Sequence, residues 1–371
     1  MDKLIGIVGS SGLIGTEAVR YLLDRGYTVR GGQRRAESPF EAEKNFERRQ
    51  LDLYSKRQLD DFCKDCDAVL NCAGPSYKIK DLIAQSASAA GAVYIDMSDI
   101  LITESSLRKK LDNEGVYIVG TGYVPGISGI LLNTVISEFD PVRKIQCLQA
   151  GRQYYTRTAF YDILLSSVSN AGYPDSCLIG NEPVRIKDIS HDRLYVPSLA
   201  ESVYTKPYIP AEIIDLSRQN NSVGEIYWYN GLTDKRMMDM IMQSYREVAF
   251  SDSYENAMKL YDELFSNMEK QENWSEFLVE AEGQKDGKYK RTRYILNISD
   301  SNIVCGITAA QTVVRALENS LSAGVYWAKD VVRYSSLAEF EASLKGCTLT
   351  VIDIPEGTSD LLAQEDESDY I

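Results

Sequence analysis

The chain has 371 residues, a length that predicts two domains rather than a single core. Its apolar content of 44% and charged content of 25% are typical of a water-soluble globular protein. Forty basic residues against 54 acidic residues give a net charge of −14, which disfavours a nucleic-acid partner because phosphates repel an anionic surface.

Three further features bear on location and on metal binding. The chain opens directly on a predicted strand, without the basic leader and apolar segment of a signal peptide, so we expect a cytoplasmic protein. Residues 116–137 lack charge, but their glycines and Pro125 predict a buried strand, a turn and a helix start rather than a membrane span. Cys63 and Cys66 lack a second cysteine pair and the chain has one histidine, so we predict reduced thiols and no metal site.

The first predicted element is an apolar strand at residues 4–8, which is followed by a glycine-rich turn and a helix at residues 16–23. The three glycines of the turn would allow a tight bend, let a diphosphate approach the backbone, and let the helix lie on the sheet. Free amide donors and the helix dipole favour an anion at such a helix start. We therefore predict that the whole turn binds a dinucleotide: Gly9, Ser10, Ser11, Gly12, Leu13, Ile14 and Gly15.

The second predicted strand, residues 27–30, is followed by two glycines and then by Gln33, Arg34 and Arg35. NAD-selective domains carry an acidic residue near this point to bind the ribose hydroxyls, whereas an arginine accommodates a 2′-phosphate. Two arginines and no acid occur here, and a guanidinium can hold a phosphate through two hydrogen bonds. The sequence therefore predicts NADP(H), with Arg34 and Arg35 at the phosphate.

Four more strands, separated by helices, are predicted at residues 50–53, 68–72, 93–96 and 116–119. Together the six strands predict a doubly wound parallel sheet of the Rossmann type. Ligands bind outside the carboxyl ends of the strands in such sheets, so the residues at these ends are predicted to contact the cofactor. They are Asp52, Leu53, Cys72, Ala73, Gly74, Pro75, Asp96, Ser98 and Gly122.

Beyond residue 128 the alternation of strands and helices ends. Strands predicted at 275–282 and 289–299 flank Asp286 and Gly287, a strong hairpin pair, and so indicate an antiparallel sheet. A helix is predicted at 308–321. We therefore predict an α/β protein with a second, α+β domain. The expected parts are an NADP-binding Rossmann domain (1–127), an α+β substrate and dimerisation domain (128–305), a closing helix that returns to the Rossmann domain (306–330) and an acidic C-terminal segment (331–371).

The end of the chain is strongly acidic. Residues 353–371 contain seven acidic residues and no Lys or Arg, which accounts for half of the net charge. Such a composition favours solvation over packing, so we expect a solvated tail.

Four stretches resemble the saccharopine dehydrogenase-like reductases, specifically their NADP-binding domain. They are the glycine turn with Arg34, residues 71–75 (Asn-Cys-Ala-Gly-Pro), residues 94–99 (Tyr-Ile-Asp-Met-Ser-Asp) and residues 122–126 (Gly-Tyr-Val-Pro-Gly). A fifth stretch, residues 306–310 leading to 323–326, resembles the closing helix of that family. The resemblance is specific over 1–130, good over 276–327 and vague between, and Trp327 and Ala328 replace the family's usual proline.

The resemblance implies a hydride transfer between NADPH and a carbon bonded to nitrogen, in a small amino-acid-derived or secondary-metabolite intermediate. It also implies a homodimer that pairs through an open face of strands 275–282 and 289–299. Two alternatives stay open: reduction of a C=C or C=O bond in a larger or carrier-tethered product, and a non-catalytic NADP-binding sensor.

Hydride transfer to an imine needs one proton from the protein, and several side chains are candidates for its source. Tyr77, Asp99 and Tyr123 follow predicted parallel strands and are our catalytic candidates, while Asp96 could act as an acid or orient the ribose. His191 has a suitable pKa but lies in a charged segment typical of a surface loop. For the substrate we predict Arg152, Tyr154 and Tyr155, which follow the strand that opens the second domain.

Overall fold

The computed structural model describes residues 3–361 except for 35–36, 112, 114, 167–171, 187–193, 197, 221–222, 237, 240–253 and 266–271. The chain divides into two compact units, each discontinuous in sequence. Unit 1 comprises Met1–Leu131, Thr156–Ala171 and Ser301–Gly346, and unit 2 comprises Leu132–Tyr155, Gly172–Asp300 and Cys347–Ile371.

The strands are numbered along the chain. They are β1 (Leu4–Val8), β2 (Thr28–Gln33), β3 (Phe46–Gln50), β4 (Ala68–Asn71), β5 (Val93–Asp96), β6 (Val116–Val119), β7 (Val142–Arg152), β8 (Gly172–Pro174), β9 (Ser176–Ile179), β10 (Glu182–Arg185), β11 (Tyr204–Pro210), β12 (Val223–Leu232), β13 (Trp274–Lys285), β14 (Lys288–Ile298), β15 (Gly324–Trp327) and β16 (Cys347–Asp353).

The helices that lie in the described residues are numbered in the same way. They are α1 (Leu13–Leu23), α2 (Lys56–Cys63), α3 (Ser76–Ile79), α4 (Leu82–Ala89), α5 (Ile100–Thr103), α6 (Ser105–Arg108), α7 (Ile127–Ile136), α8 (Arg157–Ser166), α9 (Ala211–Gln219), α10 (Tyr254–Phe265), α11 (Ser301–Glu318), α12 (Ala328–Val331) and α13 (Leu337–Ser343). None of them is both long and apolar enough to cross a bilayer.

Unit 1 contains the predicted parallel sheet, which is confirmed, with seven strands rather than six. Their order is β15-β6-β5-β4-β1-β2-β3, and every neighbouring pair is parallel. The seventh strand, β15, comes from far along the chain and pairs with β6 from Gly324 opposite Val116 to Trp327 opposite Val119. The chain changes direction of winding at β1, which lies between β4 and β2. In such sheets a ligand crevice forms at this switch point.

The core of unit 1 explains why α11 belongs to it. Ile5 and Ile7 of β1 are fully buried, as is expected for a parallel strand covered on both faces. Ala309, Ala310 and Val313 of α11 lie in the same apolar cluster. The predicted helix at 308–321 is therefore confirmed, although it begins earlier, at Ser301, and ends at Glu318.

Two adjustments to the predicted elements follow from packing. The third strand is residues 46–50, not 50–53, because β3 pairs with β2 from Phe46 opposite Val29 to Gln50 opposite Gln33. Residues 51–53 form the turn beyond it. The other adjustment concerns α8, which lies within the range 128–305 expected for the second domain but belongs to unit 1.

Unit 2 contains a nine-stranded mixed sheet, so the predicted α+β architecture is confirmed. The main order is β10-β9-β12-β7-β13-β14-β16, with β11 pairing with β12 and with β8. The β7–β12 pair is parallel, and β13 is antiparallel to both of its neighbours. The predicted hairpin is confirmed: Asp286 and Gly287 turn between β13 and β14 with positive φ angles of 53° and 73°. Both values suit a two-residue hairpin turn.

The hairpin strands do not present the open face that we expected for dimerisation. On one face Leu278 and Ile295 lie in an apolar cluster that also contains Leu361, and the other face includes the fully buried Phe277 and Val279. The expectation of an open face is therefore wrong, because both faces of the hairpin are covered. A homodimer stays a prediction without an assigned surface.

Part of the expected solvated tail is attached to the sheet of unit 2. Asp353 ends β16 and accepts a hydrogen bond from Thr292 (3.0 Å), and Asp360 pairs with Lys144 (2.6 Å). That bond from Lys144 lowers the pKa of Asp360. Leu361 is buried. Residues 353 and 355–360 are exposed, as expected of a solvated segment, but these bonds attach the segment to the sheet. Residues 362–371 lie outside the described part of the chain.

Candidate active site

The glycine turn joins β1 to α1 at the switch point of the first sheet. Gly9 has a φ of +83°, and a Cβ atom there would lie 2.9 Å from the backbone nitrogen of Ala73, in the turn after β4. At Gly15 a Cβ would lie 2.2 Å from the carbonyl oxygen of Gly9. These two positions thus require glycine for backbone conformation and for close packing of the helix on the strand.

The start of α1 offers backbone donors to an anion. Gly12 is the N-cap, is exposed, and provides no side chain to satisfy the first amide groups of the helix. The Thr16 amide donates to the Gly12 carbonyl (2.8 Å), which is the first hydrogen bond of the helix. The amides of residues 13–15 therefore have no acceptor within the helix. An exposed helix start with this geometry fits a diphosphate.

The side chains of the turn differ in exposure. Gly12 and Leu13 are exposed, Ser11 and Ile14 are half-buried, and Ser10 and Gly15 are buried. The Ser10 hydroxyl donates to the side-chain oxygen of Gln33 (3.0 Å), inside the unit. The contribution of Ser10 to the turn is therefore the fixing of β1 against β2.

The end of β2 forms the corner where the sequence predicts the 2′-phosphate. Arg34 is exposed, and it makes no ion pair among the residues that the structure describes. Arg35 lies outside those residues. The amide of Leu51 donates to the carbonyl of Gln33 (3.0 Å), which brings the turn after β3 beside Arg34.

That turn carries the two residues predicted to meet the adenine, and one that sequence reasoning missed. Asp52 is exposed and accepts a hydrogen bond from the amide of Tyr54 (3.1 Å), while Leu53 is half-buried. The Tyr54 side chain is 70% exposed. An aromatic ring beside the predicted adenine position was visible in the sequence, immediately after Leu53.

The turn after β4 lies directly beside the glycine turn. The Cys72 amide donates to the carbonyl of Val8 (2.8 Å), and the Ala73 amide donates to the Asn71 side chain (2.9 Å). Gly74 is exposed, Pro75 is half-buried, and α3 begins directly after them. Four predicted cofactor contacts are thus next to the switch point, held by Asn71, which sequence reasoning did not single out.

Asp96, at the end of β5, organises the strand ends. Its carboxylate accepts bonds from the Ser98 amide (2.9 Å) and hydroxyl (3.0 Å), from the Asn71 side chain (3.2 Å) and from the Tyr94 hydroxyl. Its carbonyl accepts from Thr121, in the turn after β6. Burial raises the pKa of Asp96, and these donors oppose that rise. The side chain thus already holds the ends of β4, β5 and β6 together.

Two of the catalytic candidates, Asp99 and Tyr77, are joined by a hydrogen bond. The Tyr77 hydroxyl donates to Asp99 Oδ1 (3.2 Å), and Asp99 is 4% exposed. Burial raises the pKa of Asp99 to about 7, with the Tyr77 hydrogen bond opposing the rise. A carboxyl group with this pKa can both hold and release a proton near neutral pH.

A third acid, Asp162 of α8, joins this pair, and we call the three residues the Asp99–Tyr77–Asp162 cluster. Asp162 accepts a hydrogen bond from the Tyr77 amide (3.2 Å) and also bonds the amide and hydroxyl of Ser76. Burial raises its pKa. The sequence did contain a signal, because Asp162 interrupts an apolar run from Phe160 to Leu165.

The third catalytic candidate lies in the turn after β6. Tyr123 is half-buried and its carbonyl accepts from the Ser128 amide (3.2 Å). Gly122 bridges to Gly126, where a Cβ would lie 2.2 Å from the Gly122 oxygen. This turn therefore depends on glycine at 126, while Tyr123 follows the same strand edge as Tyr77 and Asp99.

The predicted substrate residues belong to unit 2. Arg152 forms an ion pair with Glu201, which also accepts a hydrogen bond from the Trp274 indole (3.1 Å). The Tyr154 ring packs 6.4 Å from that of Tyr261, and the Tyr155 ring 6.0 Å from that of Phe265, both on α10. The two tyrosines thus join one aromatic cluster and Arg152 is paired. His191 lies outside the described residues.

Comparisons with known proteins agree with this architecture. Residues 5–103 match the model of the NAD dependent epimerase/dehydratase family. Apo saccharopine dehydrogenase (L-Glu forming) from Saccharomyces cerevisiae aligns with 95% of this chain and 100% of its own, at 12% identity and a TM-score of 0.64. A putative epimerase from Bacteroides thetaiotaomicron aligns with 26% of this chain and 47% of its own, at 24% identity and a TM-score of 0.25.

No curated protein matches the sequence. The family model matches only the first part of unit 1, and neither finding distinguishes NADP(H) from NAD(H). The resemblance noted in the sequence is confirmed at the level of the fold: over nearly its whole length, the chain has the fold of saccharopine dehydrogenase.

Proposed function

We propose that this protein is an NADP(H)-dependent oxidoreductase that reduces a C=N bond in a small amino-acid-derived or secondary-metabolite intermediate. The observation that carries the proposal is the hydrogen bond between Tyr77 and the buried Asp99, at the carboxyl ends of the parallel strands beside the glycine turn. A nucleotide site and a titratable acid at one sheet edge are the two things that such a reduction requires of a protein.

The cofactor, when bound, supplies the hydride. The residues of the chain have to bind it, exclude water and provide a proton to the reduced atom. Because Asp99 has a pKa of about 7, it can hold a proton near neutral pH. In that protonated form it can donate to the Tyr77 hydroxyl oxygen, 3.2 Å away, while the hydroxyl gives its own proton to the reduced atom. Tyr123, half-buried in the neighbouring turn, is the second candidate donor.

The choice of NADP(H) over NAD(H) rests on the corner after β2. Arg34 is exposed and has no acidic partner among the described residues, so its guanidinium is available to a 2′-phosphate. Asp52, the acid next to this corner, is occupied by the amide of Tyr54. Tyr54 itself offers an exposed ring to the adenine.

Substrate binding by Arg152, Tyr154 and Tyr155 stays a prediction. Arg152 would have to exchange Glu201 for a substrate carboxylate, which is feasible because Glu201 keeps a second partner in Trp274. The domain bounds, the homodimer and the cytoplasmic location also stay predictions.

The test compares three bonds in molecules of similar size. Purified protein and NADPH are mixed with 1-pyrroline-2-carboxylate (C=N), with 2-oxopentanoate (C=O) or with 2-cyclopentenone (C=C), and the loss of NADPH fluorescence is followed. We expect turnover with the imine, slower turnover with NADH, and a loss of at least about 100-fold in Asp99→Asn, the lower end of the range for a general acid.

Turnover with only the ketone or the enone would support the alternative reductases and contradict the proposal. NADPH binding with no turnover on any compound would favour a non-catalytic sensor. Asp61→Asn, an exposed acid on α2, is the control and should keep the wild-type rate.

A further inference from the structure

Asp162 belongs to α8, but its carboxylate binds the first residues of α3. The N-cap of α3 is Pro75, whose side chain cannot accept a hydrogen bond from the helix amides. The carboxylate of Asp162 takes that role from another helix: Oδ1 lies 3.2 Å from the Tyr77 amide, and the same carboxylate bonds Ser76. The start of α3 is thus fixed by α8.

The contact between α8 and the turn before α3 is close. A Cβ atom at Gly74 would lie 3.0 Å from the methyl carbon of Thr158 and 3.7 Å from Asp162 Oδ2. Ser76, bonded to Asp162, is 6% exposed. The backbone of residues 74–77 therefore has little room to move towards α8, and the bonds from Asp162 oppose movement away from it.

Tyr77 connects Asp162 to Asp99. Its amide donates to Asp162, and its hydroxyl donates to Asp99 at 3.2 Å. A shift of the Tyr77 backbone moves the ring and its hydroxyl as one body, because the side chain has only two rotatable bonds to compensate. The geometry therefore makes the hydroxyl position depend on α8.

We propose that Asp162 is a positioning residue: its carboxylate fixes the backbone of Tyr77 and thereby holds the Tyr77 hydroxyl on Asp99. The importance of this for turnover rests on the proposed function, whereas the positioning itself does not. The residue comes from residues 156–171, a stretch of unit 1 enclosed in sequence by two stretches of unit 2.

The competing explanation is that Asp162 only stabilises the start of a short helix. The two roles differ in their effect on Asp99. Burial raises the pKa of the Asp99 carboxyl most. The Tyr77 hydrogen bond and a backbone hydrogen bond lower this pKa, whereas the charges of Asp162 and Asp96 raise it. Asp162→Glu keeps the charge but moves the carboxylate by one methylene. Asp162→Asn keeps an acceptor oxygen but removes the charge.

The experiment is a carbon-13 NMR titration of the protein labelled at the aspartate carboxyl carbons, without cofactor or substrate. The Asp99 signal is identified by its absence in Asp99→Asn. We expect its apparent pKa to rise by about half a unit to one unit in Asp162→Glu, because the Tyr77 bond loosens, and to fall by a similar amount in Asp162→Asn. In a Tyr77→Phe background the rise in Asp162→Glu should disappear.

An Asp99 pKa that is unchanged in Asp162→Glu, or a rise that persists without the Tyr77 hydroxyl, would overturn the proposal. If Asp162→Glu does not fold, Asp162→Ala is compared with Asp162→Asn. Both lack the charge but only Asn keeps an acceptor for the Tyr77 amide, so an equal Asp99 pKa in the two variants would overturn the proposal. Asp61→Asn removes one exposed charge and should leave the titration as in the wild type. Because no substrate is involved, this result is independent of the enzyme assay.

Discussion

The glycine turn and the Asp99–Tyr77–Asp162 cluster lie along the same edge of the first sheet, but they are built in different ways. The turn is one continuous stretch, and it works through backbone amides, a positive φ and the absence of side chains. The cluster joins α3, the start of α5 and α8, and it works through side chains that are buried or half-buried. One region therefore depends on local backbone geometry, and the other depends on how distant segments pack.

The sharpest way to break the turn without disturbing the cluster is Gly12→Val. A Cβ at Gly12 would lie 3.3 Å from the Gly9 oxygen, which is tight but allowed, and the position is exposed. The added methyl groups would fill the space that a diphosphate needs. We expect NADPH binding, measured by fluorescence titration, to weaken by more than about 100-fold, equivalent to losing two charge-assisted hydrogen bonds. The melting temperature should stay within a few degrees of the wild type.

Gly15→Ala is the matched comparison. Its Cβ would lie 2.2 Å from a backbone oxygen, so the helix has to shift and stability should fall together with binding. Normal NADPH binding by Gly12→Val would show that the diphosphate does not lie on this turn.

The cluster is tested by the pH dependence of stability. Folded Asp99 keeps its proton up to a pKa of about 7, whereas an aspartate in the unfolded chain loses it near about 3.9. Between these values the folded state binds more protons, so the Asp99 contribution to the free energy of unfolding falls as pH rises. We compare the free energy of unfolding of Asp99→Asn with that of the wild type on both sides of this window. The value for Asp99→Asn minus the value for the wild type should be larger above the window than below it by about 2–4 kcal/mol.

Urea unfolding on the acidic and the alkaline side of that window measures this difference, and the effect of the other carboxyl groups cancels between variant and wild type. Asp61→Asn, which is exposed, should show no such gain. Parallel curves for Asp99→Asn and the wild type would mean that Asp99 titrates as an ordinary carboxyl group.

The sequence predicted the features that depend on local backbone geometry better than those that depend on the packing of distant segments. The apolar run at residues 4–8 and its glycines predicted the turn because every determinant is local. Tyr77 and Asp99 became catalytic candidates because both follow predicted strands, and their catalytic role stays a prediction. Asp162 was missed because its partners lie far away along the chain, and no local pattern marks residues 156–171 as part of unit 1.

Two further details of the fold depend on contacts that no local sequence pattern shows. The acidic composition of residues 353–371 predicted solvation, but it did not predict that Lys144 and Arg291 of the second sheet bind Asp360. Likewise, β15 was hidden because four residues are too few for a periodic signal, and its pairing with β6 provides the missing information.

The smallest expected effect concerns the edge of the turn region, at Arg34. Arg34→Asp removes a guanidinium that has no acidic partner among the described residues and introduces a repelling charge. We expect NADPH binding to weaken by about 1–3 kcal/mol, the scale of a charge-assisted hydrogen bond, while NADH binding, which involves no 2′-phosphate, hardly changes.

Arg57→Asp, the same charge change at an exposed position on α2, controls for the general electrostatic field of the protein. Fluorescence titration with both cofactors measures all four affinities. An equal loss of NADPH and NADH affinity in Arg34→Asp would contradict the assignment of the 2′-phosphate to this corner. Tighter binding of NADH than of NADPH by the wild type would contradict it as well. The glycine turn would then bind both cofactors without selection at Arg34.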